Sequence, residues 1–306
     1  MNKLRYGVIG TGGIGGFYGG MLAHSGQEVH FLFHSDFDFV KKHGLKVDSV
    51  LGDFHLEKVH AYQSTEDMPI CDVVLVGLKT TSNSLLKTLL PPLLGPETTV
   101  ILIQNGLGIE EKLSVDFPDL SIAGGLGFIC SGKFGPGHIV HAEHGKITIG
   151  SYQGSQQEIL KKVCADFEAA RVPCEVSENL LTSRWKKLVW NVPYNGLTVV
   201  MNALTSDLMA NADTYQLCKD LMLEVIGAAN ACGVSLSKDF AQVMLEYTLD
   251  MKPYAPSMRL DFDFKRPMEI QAIYSSPLEA ADNVGFDMPK VRMLEQQLRF
   301  IQQTYL

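Results

Sequence analysis

Between the apolar run "RYGVIG" and a helix-compatible stretch from Gly16 to Ser25, the chain carries Gly10, Gly12 and Gly15 in the spacing G-x-G-x-x-G. Each glycine answers a separate steric demand. The first permits a tight turn out of a strand, the second lets backbone approach a pyrophosphate, and the third lets the following helix pack closely on the strand, with its N-terminus facing the anion. Gly13, Gly16, Gly19 and Gly20 offer alternative registers, so the weight of the pattern comes from its context: a strand before it and a helix after it. Gly10, Thr11, Gly12, Gly13, Ile14 and Gly15 are therefore the candidate dinucleotide-binding residues.

The rest of the first half agrees with that reading. "EVHFLF", "DVVLVGL" and "TTVILIQNG" are strand-sized apolar runs alternating with helical segments, the texture of a doubly wound parallel sheet. From Gly124 to Gly150 the sequence becomes rich in Gly and β-branched residues with no helical period, which predicts hairpin-like strands closing the domain. From about Glu178 onward β-type runs almost vanish and helical spacing takes over, with Gly233 and Gly285 placed as helix C-terminal stops. The expected fold class is α/β: a Rossmann-like domain over residues 1–178, followed by an all-α domain over residues 179–306.

Net charge narrows the functions open to such a chain. A formal charge of −8 and a pI near 5.6 argue against a general role in holding nucleic acid or an anionic membrane. The longest apolar runs are strand-sized, and no transmembrane segment is expected. Six scattered cysteines without a C-x-x-C pair, and no signal peptide ahead of the first strand, predict reduced thiols and a cytoplasmic protein. "HAEH", His141 to His144, lacks the helical spacing of a metal chelate, and no metal is expected.

At the end of the second strand an NAD-preferring fold usually places Asp or Glu, and an NADP-preferring one a cation. Here His34 and Ser35 stand there, free of carboxylate and able to donate to a 2′-phosphate, although Asp36 and Asp38 follow closely. Lys79 and Asn105 each follow a predicted strand at the edge where ligands of open α/β sheets lie.

The helical half contains "RWKKLVWNVPYNGLT", in which Lys187, Asn191 and Asn195 recur at i, i+4, i+8 and share one stripe of a helix. Leu188, Val189, Trp190 and Val192 make that helix mostly buried, and buried amides and ammoniums need partners. Pro193 either kinks this helix at the stripe or ends it.

Taken together, the G-x-G-x-x-G loop, "GLK" at Gly77 to Lys79, "QNG" at Gln104 to Gly106, the K-x-x-x-N-x-x-x-N stripe and "PSMRLDFDFKRPMEI" at Pro256 to Ile270 resemble the ketopantoate reductase family over nearly the whole length. The resemblance implies reduction of a 2-oxo acid, ketopantoate, to pantoate by NADPH, serving pantothenate and coenzyme A synthesis. By the same resemblance Lys187 is the general acid and Glu269 holds the substrate or the lysine, unless Glu269 is a surface carboxylate paired with Lys265 or Arg266. Asn105, Asn191, Asn195 and Ser257 orient the substrate, and His34, Ser35, Lys79 and Asn105 serve the cofactor, NADP(H).

Three departures from the family pattern stand out: His34 where arginine is frequent, Pro193 and Gly196 within the stripe helix, and "EIQAIYSS" after the pattern "EIDxING", with Gln271 in the aspartate position. They leave room for another 2-oxo acid as substrate, or for a related enzyme of the wider 3-hydroxyacid and 6-phosphogluconate dehydrogenase group, whose C-terminal domain is also helical. A catalytically silent NADP(H)-binding sensor is the reading from a different class. The apolar stretches of the helical domain could bury a homodimer contact.

Overall fold

The computed structural model of the protein describes residues 3–154 and 157–306. Two compact units are formed: the first runs to Gln104 and resumes over Ile109–Leu180, and the second comprises Asn105–Gly108 and Leu181–Leu306.

The first unit contains β1 (Arg5–Ile9), α1 (Gly13–His24), β2 (Glu28–Leu32), α2 (Phe37–His43), β3 (Leu45–Ser49), β4 (Phe54–Leu56), β5 (His60–Tyr62), β6 (Cys71–Val76), α3 (Leu86–Leu89), β7 (Leu94–Ile103), α4 (Ile109–Asp116), β8 (Ser121–Gly135), β9 (His138–Gln153), α5 (Gln157–Ala169) and β10 (Cys174–Val176). Strands β5, β2, β1, β6, β7 and β8 pair in parallel in that order. Val8, Val74, Val76, Ile101 and Leu102 are fully buried at the middle of this sheet, which explains why its strands read as unbroken apolar runs rather than alternating ones. Phe17, Tyr18 and Leu22 of α1 and Phe167 of α5 belong to one apolar core, whereas Leu86, Leu90 and Leu113 belong to another.

The Gly-rich stretch is a long antiparallel hairpin, β8 against β9. Strand β9 also pairs in parallel with β3 and with β10, so the sheet is mixed rather than purely parallel.

One expectation is corrected in this unit. Cys164 on α5 and Cys174 on β10 form a disulfide, with their Cα atoms 5.1 Å apart, in place of two reduced thiols. Arg171 adopts the left-handed conformation (φ 61°), and the Val172 N–H closes the turn on the Phe167 carbonyl at 2.9 Å. This reversal folds β10 back alongside α5 and brings residues separated by 10 positions together. Closing so short a loop removes about 2–3 kcal/mol of chain entropy from the unfolded state. We expect Cys164→Ser to lower the unfolding free energy by that amount in urea titrations under oxidising conditions and to have little effect in excess dithiothreitol.

The second unit is helical: α6 (Leu180–Val200), α7 (Thr205–Ala210), α8 (Ala212–Ala231), α9 (Asp239–Asp250), α10 (Ser257–Asp263), a π-helical turn over Gln271–Ser275, α11 (Ser276–Asn283) and α12 (Pro289–Gln303). α6 runs through the core, with Trp185, Leu188, Val189, Val192 and Tyr194 buried, and the Trp190 indole N–H donates to Thr248 Oγ1 at 3.0 Å. Among the described residues no helix is long and apolar enough to cross a membrane.

Pro193 does not end α6, which continues unbroken to Val200. The Tyr274 hydroxyl meets this helix within the same turn, where it donates to the Val192 carbonyl at 2.8 Å. Room for the phenol exists only because residue 196 has no side chain, since a Cβ there would lie 2.6 Å from the Tyr274 hydroxyl and 2.6 Å from Leu294 Cδ2.

Candidate functional site

In the first unit the glycine loop links β1 to α1. Gly10 takes φ +88°, and a Cβ on it would lie 2.5 Å from the Leu78 nitrogen, so only glycine fits this turn. Gly12 is the N-cap of α1 in extended conformation with no side chain capping the helix, and a Cβ there would meet no atom within 4 Å. The first turn of α1 thus presents its N–H groups beside open space, the arrangement that accommodates a pyrophosphate. These residues fit a dinucleotide. The Thr11 hydroxyl donates to the Leu32 carbonyl at 3.3 Å, tying the loop to the end of β2, and half-buried Ile14 packs against the core.

A contact missed by the motif comes from β8. Ser131 Oγ donates to the Gly13 carbonyl at 2.9 Å, and a Cβ on Gly13 would lie 2.7 Å from the Ser131 carbonyl. The hairpin therefore packs directly on the glycine loop.

His34 and Ser35 are exposed at the end of β2, whereas Asp36 is buried at 5% exposure. Its carboxylate accepts two hydrogen bonds from Lys133 Nζ on β8, at 2.8 and 2.9 Å, one from the Gly137 N–H at 3.1 Å and one from the Ser35 hydroxyl at 3.1 Å. Burial alone would raise this carboxyl, but Lys133, Gly137 and Ser35 outweigh it and hold the group below its ordinary value. Asp38 is exposed in the first turn of α2.

Lys79 is half-buried, three residues beyond β6, where it precedes a 3₁₀ turn over Thr80–Leu85. Gln104 braces that turn by donating to the Leu78 carbonyl at 2.7 Å and to Asn83 Oδ1 at 2.6 Å. At "HAEH", His141 is directed inward to Ser49 Oγ at 2.8 Å and to the Glu143 carbonyl at 3.1 Å. Cys130, Glu143 and His144 place one potential ligand atom each within 4.8 Å of one another.

The second unit holds the remaining candidates. Asn105 lies in the short segment that packs with the helices. There the Leu107 N–H donates to the Ala272 carbonyl at 2.9 Å, and Gly106 lies so close that a Cβ would be 2.4 Å from that carbonyl oxygen. Asn191 Nδ2 donates to Asn105 Oδ1 at 3.4 Å, so two of the expected substrate-orienting amides meet. Asn195 Oδ1 accepts the Met258 N–H at 3.3 Å, which fixes the amide beside Ser257, the first residue of α10. Asn191 and Asn195 are buried at 3% and 2% exposure, whereas Lys187, one turn earlier on α6, is half-buried.

Glu269 is 4% exposed and immediately precedes Ile270 and the π turn. It is not a surface carboxylate, and Arg266 pairs instead with Asp261 at 3.1 Å. A residue that sequence reasoning missed is Arg259, whose guanidinium donates to the Thr198 carbonyl at 2.9 Å and to Asp263 at 2.8 Å, joining α10 to the end of α6. Its position two residues after Ser257 in the quoted motif is the only signal for it.

A glycine-loop Rossmann unit joined to a helical unit carrying a lysine and paired carboxamides defines the class of dinucleotide-dependent oxidoreductases. Comparison with known proteins narrows the class. Residues 6–154 match the family model "Ketopantoate reductase PanE/ApbA" and residues 179–302 its C-terminal counterpart. A 2-dehydropantoate 2-reductase of Nostoc sp. is 45% identical over 306 residues, covering 98% of this chain and 96% of the relative. Among solved structures, a 2-dehydropantoate 2-reductase from Geobacter metallireducens superposes with TM-score 0.94 at 38% identity, covering 97% of this chain and 99% of the other. One from Methylococcus capsulatus superposes with TM-score 0.91 at 31% identity, covering 99% and 98%. The chain belongs to the ketopantoate reductase family, whose reaction is the reduction of 2-dehydropantoate to pantoate with NADPH.

Proposed function

We propose that this chain reduces 2-dehydropantoate to (R)-pantoate with Lys187 as general acid. The observation that carries the assignment of roles is the stripe on α6: one half-buried ammonium and two buried carboxamides, with Asn191 bonded to Asn105.

NADPH supplies the hydride when bound, and Gly10, Thr11, Gly12, Gly13, Ile14 and Gly15 would hold its pyrophosphate, with His34 and Ser35 toward the ribose and Lys79 and Asn105 toward the reacting end. Charge develops on the substrate's ketone oxygen during reduction, and the Lys187 ammonium stabilises that charge and delivers the proton that makes the hydroxyl. Glu269, buried at the start of the π turn, would hold the substrate or the lysine. Asn105, Asn191, Asn195 and Ser257 orient the carboxylate and hydroxyl oxygens of the substrate. The reading includes a cytoplasmic location and a homodimer; sedimentation velocity tests the latter.

The test is NADPH oxidation by purified protein with 2-dehydropantoate and a panel of other 2-oxo acids. Turnover of 2-dehydropantoate well above the others supports the proposal. Preference for another 2-oxo acid would replace it, and would place the difference at the π turn, where "QAIYS" departs from the family pattern. Binding of NADPH with no turnover of any acid would establish the sensor reading.

A further inference from the structure

The turn after β2 raises a problem for a protein that uses NADPH. No arginine or lysine occupies its exposed positions, and an aspartate stands two residues beyond His34. A bare carboxylate there would repel a 2′-phosphate and accept from a 2′-hydroxyl, favouring NADH. We propose that Lys133, reaching this turn from β8, determines the preference for NADPH by engaging Asp36 and presenting its own ammonium to the 2′-phosphate. This deepens the function proposed above and rests on it.

Three observations support the inference. First, Lys133 Nζ lies 2.8 Å from Asp36 Oδ1 and 2.9 Å from Oδ2, so the carboxylate is committed at both oxygens. Second, the two partners differ in exposure: the lysine side chain is 36% exposed and the aspartate side chain 8%. The pair shows solvent its cation and hides its anion, and the Gly137 N–H at 3.1 Å adds a further dipole that holds the carboxylate inward. Third, the same stretch of β8 contacts the glycine loop, through Ser131 Oγ on the Gly13 carbonyl at 2.9 Å. Residues 131–133 therefore extend from the pyrophosphate cradle to the ribose-reading turn, the span that an adenosine 2′-phosphate must cover.

An ammonium is well suited to this task. It can keep its bonds to Asp36 and still direct a proton at a phosphate oxygen, and charge-assisted hydrogen bonds of this kind are the strong ones. His34, exposed beside it, supplies a further donor.

Affinities for NADPH and NADH measured by isothermal titration calorimetry test the inference without any turnover. Wild-type protein should bind NADPH more tightly than NADH. Lys133→Ala should weaken NADPH by about ten- to a hundredfold, the worth of a hydrogen bond to a charged group, and should leave NADH unchanged or tighter because Asp36 is released. Lys133→Ala combined with Asp36→Asn should recover part of the NADPH affinity, and Lys133→Arg should retain most of it.

Equal losses for both dinucleotides in Lys133→Ala, or no loss for either, would overturn the inference. A Lys133→Ala protein that fails to fold is replaced by Lys133→Gln, judged by the same NADPH-to-NADH ratio. Wild-type protein that binds neither dinucleotide would instead overturn the function proposed above.

Discussion

Lys187→Ala should lower turnover by roughly 10²-fold or more while leaving NADPH affinity unchanged, because a positioned general acid contributes about 10²–10⁴-fold to rate. Lys187 lies on α6 and is not one of the glycine-loop residues that would hold the pyrophosphate. The loss should fall on kcat and kcat/KM together, as expected for an interaction made mainly in the transition state. The helix should survive, since alanine is the best helix former and Lys187 is only half-buried. Unchanged turnover in a folded variant would remove Lys187 from the mechanism and pass the search for a proton donor to Glu269 and its surroundings.

Gly15→Ala should have the opposite profile. A Cβ at this position would lie 2.3 Å from the Gly10 carbonyl oxygen and 3.1 Å from Val8 Cγ1, and the first of these is backbone that cannot rotate away. α1 must then lift from β1, carrying with it the N–H groups of its first turn. We expect NADPH affinity to fall by about a hundredfold or more and the protein to lose about 1–3 kcal/mol of stability from overpacking, read by calorimetry and urea titration. A variant that binds NADPH normally would show that the pyrophosphate does not lie on this loop.

The parts of the site legible in the sequence are those whose logic is local. Three glycines within six positions, with a strand before and a helix after, describe a cradle that forms from neighbouring residues alone. The stripe of Lys187, Asn191 and Asn195 is likewise local, since helical geometry aligns every fourth residue.

Where the sequence was silent, the decisive partner lies far along the chain. Ser131 reaches the glycine loop and Lys133 the turn after β2 because a long hairpin returns to them after 118 and 97 residues, and no spacing rule encodes that return. The partnering of Cys164 with Cys174 depended on a left-handed turn at Arg171, a residue with no special propensity for one. Whether Pro193 ends α6 was equally open, because the packing that carries the helix through it includes side chains as distant as Tyr274, 82 positions beyond Val192. Residues Asn105–Gly108 read as the glycine-rich turn that ends a strand, and nothing in that composition says that they pack with the helical unit.

The Tyr274 hydroxyl against α6 has a consequence for how this protein can vary. By ordinary helix rules Gly196 is a defect, and replacing it with alanine is a standard stabilising substitution worth up to about 1 kcal/mol in an exposed helix. Here the added methyl would occupy the place of the phenol oxygen, so the two positions are constrained as a unit. Natural variation should show them changing together, with a tyrosine at position 274 accompanied by glycine at 196 and a larger residue at 196 accompanied by a shorter side chain at 274. Any design that improves one without the other works against itself.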